Sequence, residues 1–213
     1  MSEMVKVVVD AMGGDNAPEE PVKAAVEAVK EKENIQVILT GVQDVIEAEL
    51  RKYPDYPKDR IRVVHASQVI ETAEPPVMAI QKKKDSSIVV GLNLVKKQEA
   101  DAFVSSGSTG AVLVGGQVIV GRIQGIRRPP LAPLIPTAKG VSLLIDCGAN
   151  VDARPDHLVQ FAQMGSIYME NVVGIKKPRV AIVNNGAEEE KGNALVKATF
   201  PLLKACKDIN FIG

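Results

Sequence analysis

The sequence predicts an α/β protein, a three-layer α/β/α sandwich in which helices cover both faces of a mostly parallel sheet. Segments with strand and helix patterns alternate along the chain, which favours right-handed strand–helix–strand units. The strands are mostly apolar runs, such as residues 5–9 with Lys6 as the one polar residue, and such runs are typical of strands covered on both faces. Polar clusters follow directly after the strands. Because there is no internal repeat and no linker, we predict a single α/β domain over residues 1–213.

The first half of the chain shows this alternation most clearly. Strands are predicted at residues 5–9, 35–39, 61–64 and 102–104. The first helix opens near Pro18, and Val22, Ala25, Val26 and Val29 recur at the spacing of one buried helix face. Further helices are predicted at residues 42–52, after the Pro75–Pro76 pair, and at residues 86–97.

Residues 101–122 combine a short strand, a glycine loop and an apolar helix, and we expect the fold to be organised around them. The loop reads Ser105-Ser106-Gly107-Ser108-Thr109-Gly110. The helix is apolar on nearly every face, so we expect it to be buried, with Gly115 and Gly116 admitting neighbouring backbone. N–H groups and hydroxyls beside a helix N-terminus form an anion site. A plain strand-to-helix turn would use the same residue types, and the glycine spacing matches no standard phosphate motif.

The second half of the chain is less regular. Four prolines within residues 129–136 predict a segment without regular structure. Strands are predicted at residues 141–145, 179–183 and 209–212. A helix opening at Pro155 should bury Leu158, Phe161, Ala162 and Gly165, and a helix from about Asn193 should be interrupted at Pro201.

The bulk composition limits the class of protein. Lys and Arg number 26, as do Asp and Glu, so the net charge is zero and does not point to nucleic acid. Cys147 and Cys206 are too few for a disulfide framework and suit a reducing compartment. There is no signal-peptide pattern and no apolar run of ~18 residues, so we expect a cytoplasmic protein.

The polar clusters that follow the strands are the candidate ligand site, because the carboxyl ends of parallel strands meet at one edge of a sheet. The clusters are residues 10–16, His65, residues 105–109, 146–150 and 184–186. Asp10, Asp15 and Asp146 could bind magnesium or substrate, or could cap turns. The histidines form no zinc motif; His65 is expected to be a structural strand-end residue and His157 to be exposed.

Six motifs in this order resemble those of one family. They are Val9-Asp-Ala-Met-Gly-Gly-Asp15, Ser105-Ser-Gly-Ser-Thr-Gly-Ala111, Gly121-Arg-Ile-Gln-Gly-Ile-Arg-Arg-Pro129, Leu131-Ala-Pro with Pro136-Thr137, Asp146-Cys-Gly-Ala-Asn-Val-Asp152, and Gly186-Ala-Glu-Glu-Glu-Lys-Gly192. The chain resembles the PlsX family of acyl-acyl-carrier-protein:phosphate acyltransferases over essentially its whole length. The family loop usually reads Ser-Ala-Gly-Asn-Thr-Gly, so Ser106 and Ser108 are departures. Family members also continue beyond Gly213 into helices used in dimerisation.

The resemblance implies that acyl groups pass from acyl carrier protein to inorganic phosphate, giving acyl-phosphate for a membrane glycerol-phosphate acyltransferase. It also implies a homodimer, an isopropylmalate-dehydrogenase-like fold that is incomplete here, and peripheral contact with the inner face of the membrane. We expect no cofactor and no metal.

Phosphate is the nucleophile in such a reaction, so positioning and preorganised donors can supply most of the catalysis. We expect phosphate or substrate to contact two segments: Ser105, Ser106, Gly107, Ser108, Thr109 and Gly110, and Asp10, Gly13, Gly14 and Asp15. Lys191 and Asn150 are candidates for charge neutralisation and carbonyl polarisation, and Asp146 is a further catalytic candidate. Arg127 and Arg128 are candidate docking residues for the acidic carrier protein.

Three alternatives remain at this point. A phosphotransacylase acting on acyl-coenzyme A would use the same chemistry with another carrier. A nicotinamide-dependent decarboxylating dehydrogenase would need metal-binding aspartates together with an arginine cluster, a combination that the sequence does not show. A non-catalytic, shortened binding fragment is the third.

Overall fold

A four-stranded parallel sheet forms the centre of the first part of the chain in the computed structural model, which describes residues 4–186 and 188–213. The strands are β1 (Val5–Asp10), β2 (Ile35–Gly41), β3 (Ile61–His65) and β4 (Ala102–Val104). Their order in the sheet is β3-β2-β1-β4, and every neighbouring pair is parallel. The four strands predicted for this half are therefore confirmed.

The chain forms two compact units, one ending at Gly121 and one beginning at Arg122. The helices of the first unit are α1 (Glu19–Glu31), α2 (Gln43–Leu50), α3 (Pro76–Lys82), α4 (Ser87–Lys96) and α5 (Thr109–Gly115), the last extended by a π-helical turn at Gly116–Val120. That all 213 residues act as one domain stays a prediction.

Alternate residues of the central strands face opposite helical layers. Val37 and Leu39 of β2 lie in one buried cluster with the apolar face of α1, whereas Ile38 lies in another with Leu94 of α4. Side chains of a strand point alternately to its two faces, so helices cover both sides of the sheet. The predicted α/β/α layering and mostly parallel sheet are confirmed for this unit.

The first helix follows the sequence pattern closely. Val22, Ala25, Val26 and Val29 of α1 are all buried, with no more than 2% of any of them exposed. A stripe of small branched and unbranched apolar residues at helical spacing can pack on only one surface, and here that surface is the sheet.

The helix after the glycine loop differs from the expectation. α5 packs on α3 and α4 along one side, and Ala111 and Gly115 are its buried residues, while Val118 in the following turn is 64% exposed. A Cβ added at Gly115 would lie 2.5 Å from Leu92 Cδ1, so the close approach expected there is present. A Cβ added at Gly116 would meet no atom within 4 Å, so no neighbouring backbone approaches that glycine closely.

The second unit contains an antiparallel pair, a parallel pair and two helices. Its elements are β5 (Leu134–Thr137), β6 (Gly140–Leu143), α6 (Pro155–Asn171), β7 (Arg179–Val180), α7 (Ala194–Ala205) and β8 (Asn210–Phe211). β5 pairs antiparallel with β6, and β7 pairs parallel with β8. The predicted strands beginning at residues 179 and 209 are present but shorter.

Two predictions that rested on proline are wrong. Residues 134–137 form a strand although Pro136 lies within it, opposite Val141. In a two-stranded pair one strand edge is free, so a missing N–H is tolerated there. Helix α7 runs on through Pro201, because the buried residues Thr199 and Leu203 hold the helix on both sides of it.

Helix α6 corrects the prediction for one histidine. Phe161, Ala162 and Gly165 are buried as predicted, and Leu158 is half-buried. His157, expected to be exposed, is only 2% exposed, and its Nδ1 accepts a hydrogen bond from the Arg154 N–H at 3.2 Å. A first-turn residue can turn back onto the preceding backbone N–H, and this removes the ring from solvent.

Among the residues described, no helix has both the length and the apolarity needed to cross a membrane. Cys147 is exposed and Cys206 is half-buried, and both are free thiols.

The Asp85 carboxylate predicts one pH effect in the first unit. Its Oδ2 accepts hydrogen bonds from the Ser67 hydroxyl at 2.5 Å and the Ser67 N–H at 2.9 Å, tying the segment after β3 to the turn before α4. The Ser67 hydroxyl chiefly, then its N–H, lowers the pKa of Asp85 below the ordinary 3.8. A carboxyl whose pKa is lower when folded stabilises above its unfolded pKa, and this contribution is lost as pH falls through the folded pKa.

We therefore expect Asp85→Asn to lower stability at pH 7 and to reduce the difference in urea midpoint between pH 7 and pH 3. Asp55→Asn is the control, because Asp55 is exposed and makes no side-chain hydrogen bond among the described residues. An unchanged pH difference in Asp85→Asn would show that this hydrogen bond does not contribute.

Candidate functional site

The loops that follow β1 and β4 meet backbone to backbone at the carboxyl edge of the sheet. The two strands are neighbours, with Val9 opposite Val104. A Cβ added at Gly13 would lie 2.8 Å from the Gly107 N, and one added at Gly107 would lie 3.2 Å from the Gly13 Cα. Only glycines allow this approach, so the structure brings two of the predicted clusters together.

Asp10 joins the two loops through hydrogen bonds. It is 1% exposed, its Oδ1 accepts from the Met12 N–H at 3.1 Å, and its Oδ2 accepts from the Ser105 hydroxyl at 2.8 Å. The Ser105 Oγ in turn accepts from the Gly107 N–H at 3.0 Å. The hydroxyl proton of Ser105 and the N–H of Gly107 are thus already used within the loops, and Asp10 holds both loops in place.

The donors that remain lie at the start of α5. Ser108 is buried and caps the helix, its Oγ accepting from the Ala111 N–H at 3.3 Å. Ser106 and Thr109 are exposed, and in the described part of the chain the N–H groups of Thr109 and Gly110 make no hydrogen bond. These hydroxyls and N–H groups are the ones that could bind an anion.

A cleft of about 670 Å³ begins at the loops and continues over the sheet. Gly13, Gly14, Asp15 and Ser106 line its polar end, and the apolar part is lined by Val7, Val9, Val37 and Val104. Gly14 has φ +101°, a conformation that favours glycine. A cleft of this size with polar groups at one end is typical of a small-molecule site.

The charge of this cleft is negative. Asp10, Asp15 and Glu20 line it, and none of the lining residues that the structure describes is Lys or Arg. In the same described residues, no group of three or more His, Cys, Asp or Glu side chains could hold a metal. A phosphate bound at the loops would therefore need its cation from a side chain elsewhere.

Asp146 and Asn150, in the second unit, hold the proline-rich segment. Asp146 Oδ1 accepts from the Leu131 N–H at 2.6 Å, and its Oδ2 accepts from the Asn150 N–H at 2.7 Å. The Asn150 amide nitrogen donates to the Pro129 carbonyl at 3.1 Å. Both carboxylate oxygens are thus engaged, and the two residues position residues 129–131.

Lys191 and His65 take no part in the hydrogen bonds described above. Lys191 is exposed in a short turn, where its N–H donates to the Glu188 carbonyl at 3.0 Å, and its ammonium makes no ion pair among the described residues. It is available to an anionic ligand. His65 ends β3 as predicted, and its Nδ1 accepts from the Gln43 N–H at 3.3 Å; its structural role stays a prediction.

Arg122, Arg154 and His157 were not identified as site residues from the sequence. They lie with the predicted docking residues Arg127 and Arg128 around another cleft, within the second unit. The signal in the sequence was weak, because Arg154 and His157 flank the Pro155 that opens α6 while the other three lie about thirty residues earlier.

The chain resembles known proteins over nearly its whole length. A phosphate acyltransferase of Alkaliphilus oremlandii is 56% identical over 211 residues, and one of Clostridium botulinum is 53% identical over 209, each match covering 98% of this chain. The chain spans 62% of the length of each of these relatives.

Solved structures show the same fold. A phosphotransacetylase from Streptococcus pyogenes superposes with a TM-score of 0.68 over 99% of this chain and 68% of its own, at 19% identity. The EutD phosphotransacetylase from Staphylococcus aureus gives 0.64 over 94% and 64%, at 18% identity. Residues 5–213 match the model of the family described as fatty acid synthesis protein, and the chain therefore belongs to that family.

Proposed function

We propose that the protein transfers a fatty acyl group from acyl carrier protein to inorganic phosphate, producing acyl-phosphate for phospholipid synthesis. The relatives named phosphate acyltransferase support transfer to phosphate. The observation that carries the proposal is the Asp10–Ser105–Gly107 network, which fixes two glycine loops and leaves the donors of Ser106, Thr109 and Gly110 free for an anion.

The proposed reaction needs no covalent intermediate on the protein. A phosphate oxygen adds to the thioester carbonyl carbon and gives a tetrahedral oxyanion, which collapses as the C–S bond breaks. The thiolate leaves and takes the proton that the hydrogen phosphate gives up. Donors held rigidly near the reacting atoms lower the barrier by positioning and by stabilising developing negative charge. In this scheme Ser106, Thr109 and Gly110 hold the phosphate.

The remaining candidates have distinct proposed roles. Lys191, which makes no ion pair among the residues described, would neutralise phosphate or the developing oxyanion. Asn150 keeps its amide oxygen free of any hydrogen bond in the described chain, and with Asp146 it positions the proline-rich segment beside the acyl donor.

Acyl carrier protein is the proposed donor because it is acidic, and the exposed Arg127 and Arg128 offer a complementary surface. A homodimer, a peripheral contact with the membrane and delivery of acyl-phosphate to a glycerol-phosphate acyltransferase complete the proposal. The alternative is a phosphotransacylase acting on acyl-coenzyme A, which the fold shared with phosphotransacetylases favours.

The test is phosphate-dependent release of free thiol from palmitoyl-acyl-carrier protein, measured beside palmitoyl-coenzyme A. Faster release from the carrier protein supports the proposal, and faster release from coenzyme A supports the alternative. Release that does not depend on phosphate, or none from a folded chain that binds phosphate, would refute acyl transfer to phosphate by this chain.

Replacing Thr109 by Val should raise the KM for phosphate about tenfold or more, since a hydrogen bond to a charged group is lost at constant side-chain volume. Thr72→Val is the control, because Thr72 is also exposed and its hydroxyl makes no hydrogen bond among the described residues. The measurement is the initial rate against phosphate concentration. Equal KM values for both variants would remove the loop from phosphate binding.

A further inference from the structure

The second unit contains a strongly basic cleft of about 620 Å³. Its walls are Arg122, Gly125, Ile126, Arg127, Arg128, Arg154 and His157. The proposed reaction does not use this cleft as a small-molecule site. It uses Arg127 and Arg128 only as a docking surface for the carrier protein.

The fold builds the cleft by tying a loop to the first turns of α6. Gln160 of that helix donates from its Nε2 to the Gly125 carbonyl at 2.9 Å, and its Oε1 accepts from the Arg127 N–H at 3.1 Å. The Arg122 guanidinium also donates to the Arg127 carbonyl. The arginines of the loop are thereby fixed beside Arg154, which directly precedes α6.

The charges of the cleft are unbalanced. It brings together four guanidinium groups, and their single ion pair among the described residues joins Arg127 to Asp156. Arg128 and Arg154 are exposed and form no ion pair in that part of the chain. Arginines held close together without carboxylates repel one another, and an anion bound between them removes that repulsion. Guanidinium also matches the geometry of phosphate oxygens.

His157 adds a hydrogen-bond donor to these charges. Its Nδ1 accepts the hydrogen bond from the Arg154 N–H, so the proton of the neutral ring lies on Nε2. The side chain is only 2% exposed and lines the cleft, and its Nε2 has no hydrogen-bond partner among the described residues. This N–H group is free to donate, and a ligand oxygen in the cleft could accept from it.

We propose that this cleft binds a phosphate group, held by the guanidinium groups of Arg128 and Arg154 and by the Nε2–H of His157. The position at the N-terminus of the 17-residue helix α6 further favours an anion. The phosphate is either free inorganic phosphate or a phosphate ester carried by the thiol substrate. The inference does not depend on acyl transfer, since the cleft is formed entirely by residues of the second unit.

The test is a titration at constant ionic strength of the ¹⁵N-labelled chain, following the His157 Nε2 resonance. Inorganic phosphate is added in one series and coenzyme A, which carries phosphate esters, in another. We expect a saturable shift of this resonance and about tenfold weaker binding in Arg128→Gln and in Arg154→Gln. Arg179→Gln is the matched control, because Arg179 is an exposed arginine of the same unit that lies outside the cleft.

The two series distinguish the source of the phosphate group. Saturation at lower concentration with inorganic phosphate assigns the cleft to the free ion, and saturation at lower concentration with coenzyme A assigns it to the carrier. Both support a phosphate site. Thr109→Val should leave the titration unchanged, which separates this site from the loops of the first unit. No shift with either ligand, or equal weakening by Arg179→Gln, would overturn the proposal.

Discussion

A Gly13→Ala variant is expected to lose about 100-fold in phosphate-dependent acyl transfer, because a displacement of about 1 Å at a positioning loop has an effect of that order. The added Cβ would lie 2.5 Å from Asp10 Oδ2, 2.8 Å from the Gly107 N and 2.9 Å from Ser105 Oγ. Carbon atoms do not approach these atoms so closely. The loops after β1 and β4 must therefore separate, and the free donors of α5 move with the second loop.

The same change should lower the free energy of unfolding by about 1–3 kcal/mol, the usual effect of excess volume in a packed region. Measurement of both quantities separates the two consequences, because the loss of activity is expected in protein that is still folded at the assay temperature. Urea unfolding followed by circular dichroism gives the free energy of unfolding, and thiol release gives the acyl-transfer activity.

Gly116→Ala is the matched control for this variant. Gly116 has helical dihedral angles and a Cβ there would meet nothing within 4 Å. Replacing a glycine by alanine in a helix stabilises by up to about 1 kcal/mol, so this variant should be at least as stable as the wild type and equally active. If Gly13→Ala behaved like Gly116→Ala, the contact between the two loops would have no role in positioning.

The first half of the fold could be predicted because its local and tertiary signals agree. The buried face of α1 and the strands β1 and β2 each have one arrangement that removes their apolar residues from water. The alternation of strands and helices places both glycine loops at the carboxyl edge of the sheet, and the pairing of β1 with β4, which the sequence did not predict, brings them into contact.

The errors have a different physical origin. The composition shows that the turn after α5 is apolar, but it does not show which of its side chains pack against a neighbour. Val118 packs against little and stays exposed. A proline predicts only the loss of its own N–H, so residues 134–137 could still pair through the remaining groups. The burial of His157 depends on one bond to the Arg154 N–H, a contact that no periodicity reveals.

The candidate site was likewise predicted only in part. Its residues were identified from motifs and their place after strands, yet hydrogen bonding assigns them different tasks. A contact of Asp10 with phosphate or substrate stays a prediction, and its two oxygens accept hydrogen bonds from the Met12 N–H and the Ser105 hydroxyl. This arrangement makes the carboxylate a support for the loops and leads to the next prediction.

Asp10→Ala should lower the free energy of unfolding by about 2–4 kcal/mol, because it leaves two donors without partners at a position that is 1% exposed. It should also abolish most of the acyl transfer, since Ser105 no longer fixes the Gly107 N–H. The loss from Asp10→Ala should therefore appear in both unfolding and activity, as is also expected for Gly13→Ala, although Asp10→Ala adds no atom.

Asp10→Asn tests whether Asp10 holds the loops through its hydrogen bonds or through its negative charge. The amide oxygen can accept from the Met12 N–H, and the amide nitrogen can donate to Ser105 Oγ, so both connections survive with one reversed. We expect this variant to retain most of the stability that Asp10→Ala loses. Since it also removes a negative charge close to the proposed phosphate, its KM for phosphate should not rise. If Asp10→Asn were instead as unstable as Asp10→Ala, the ionised carboxylate itself would be needed. If Asp10→Ala unfolded at the wild-type urea concentration, Asp10 would not be holding the loops together.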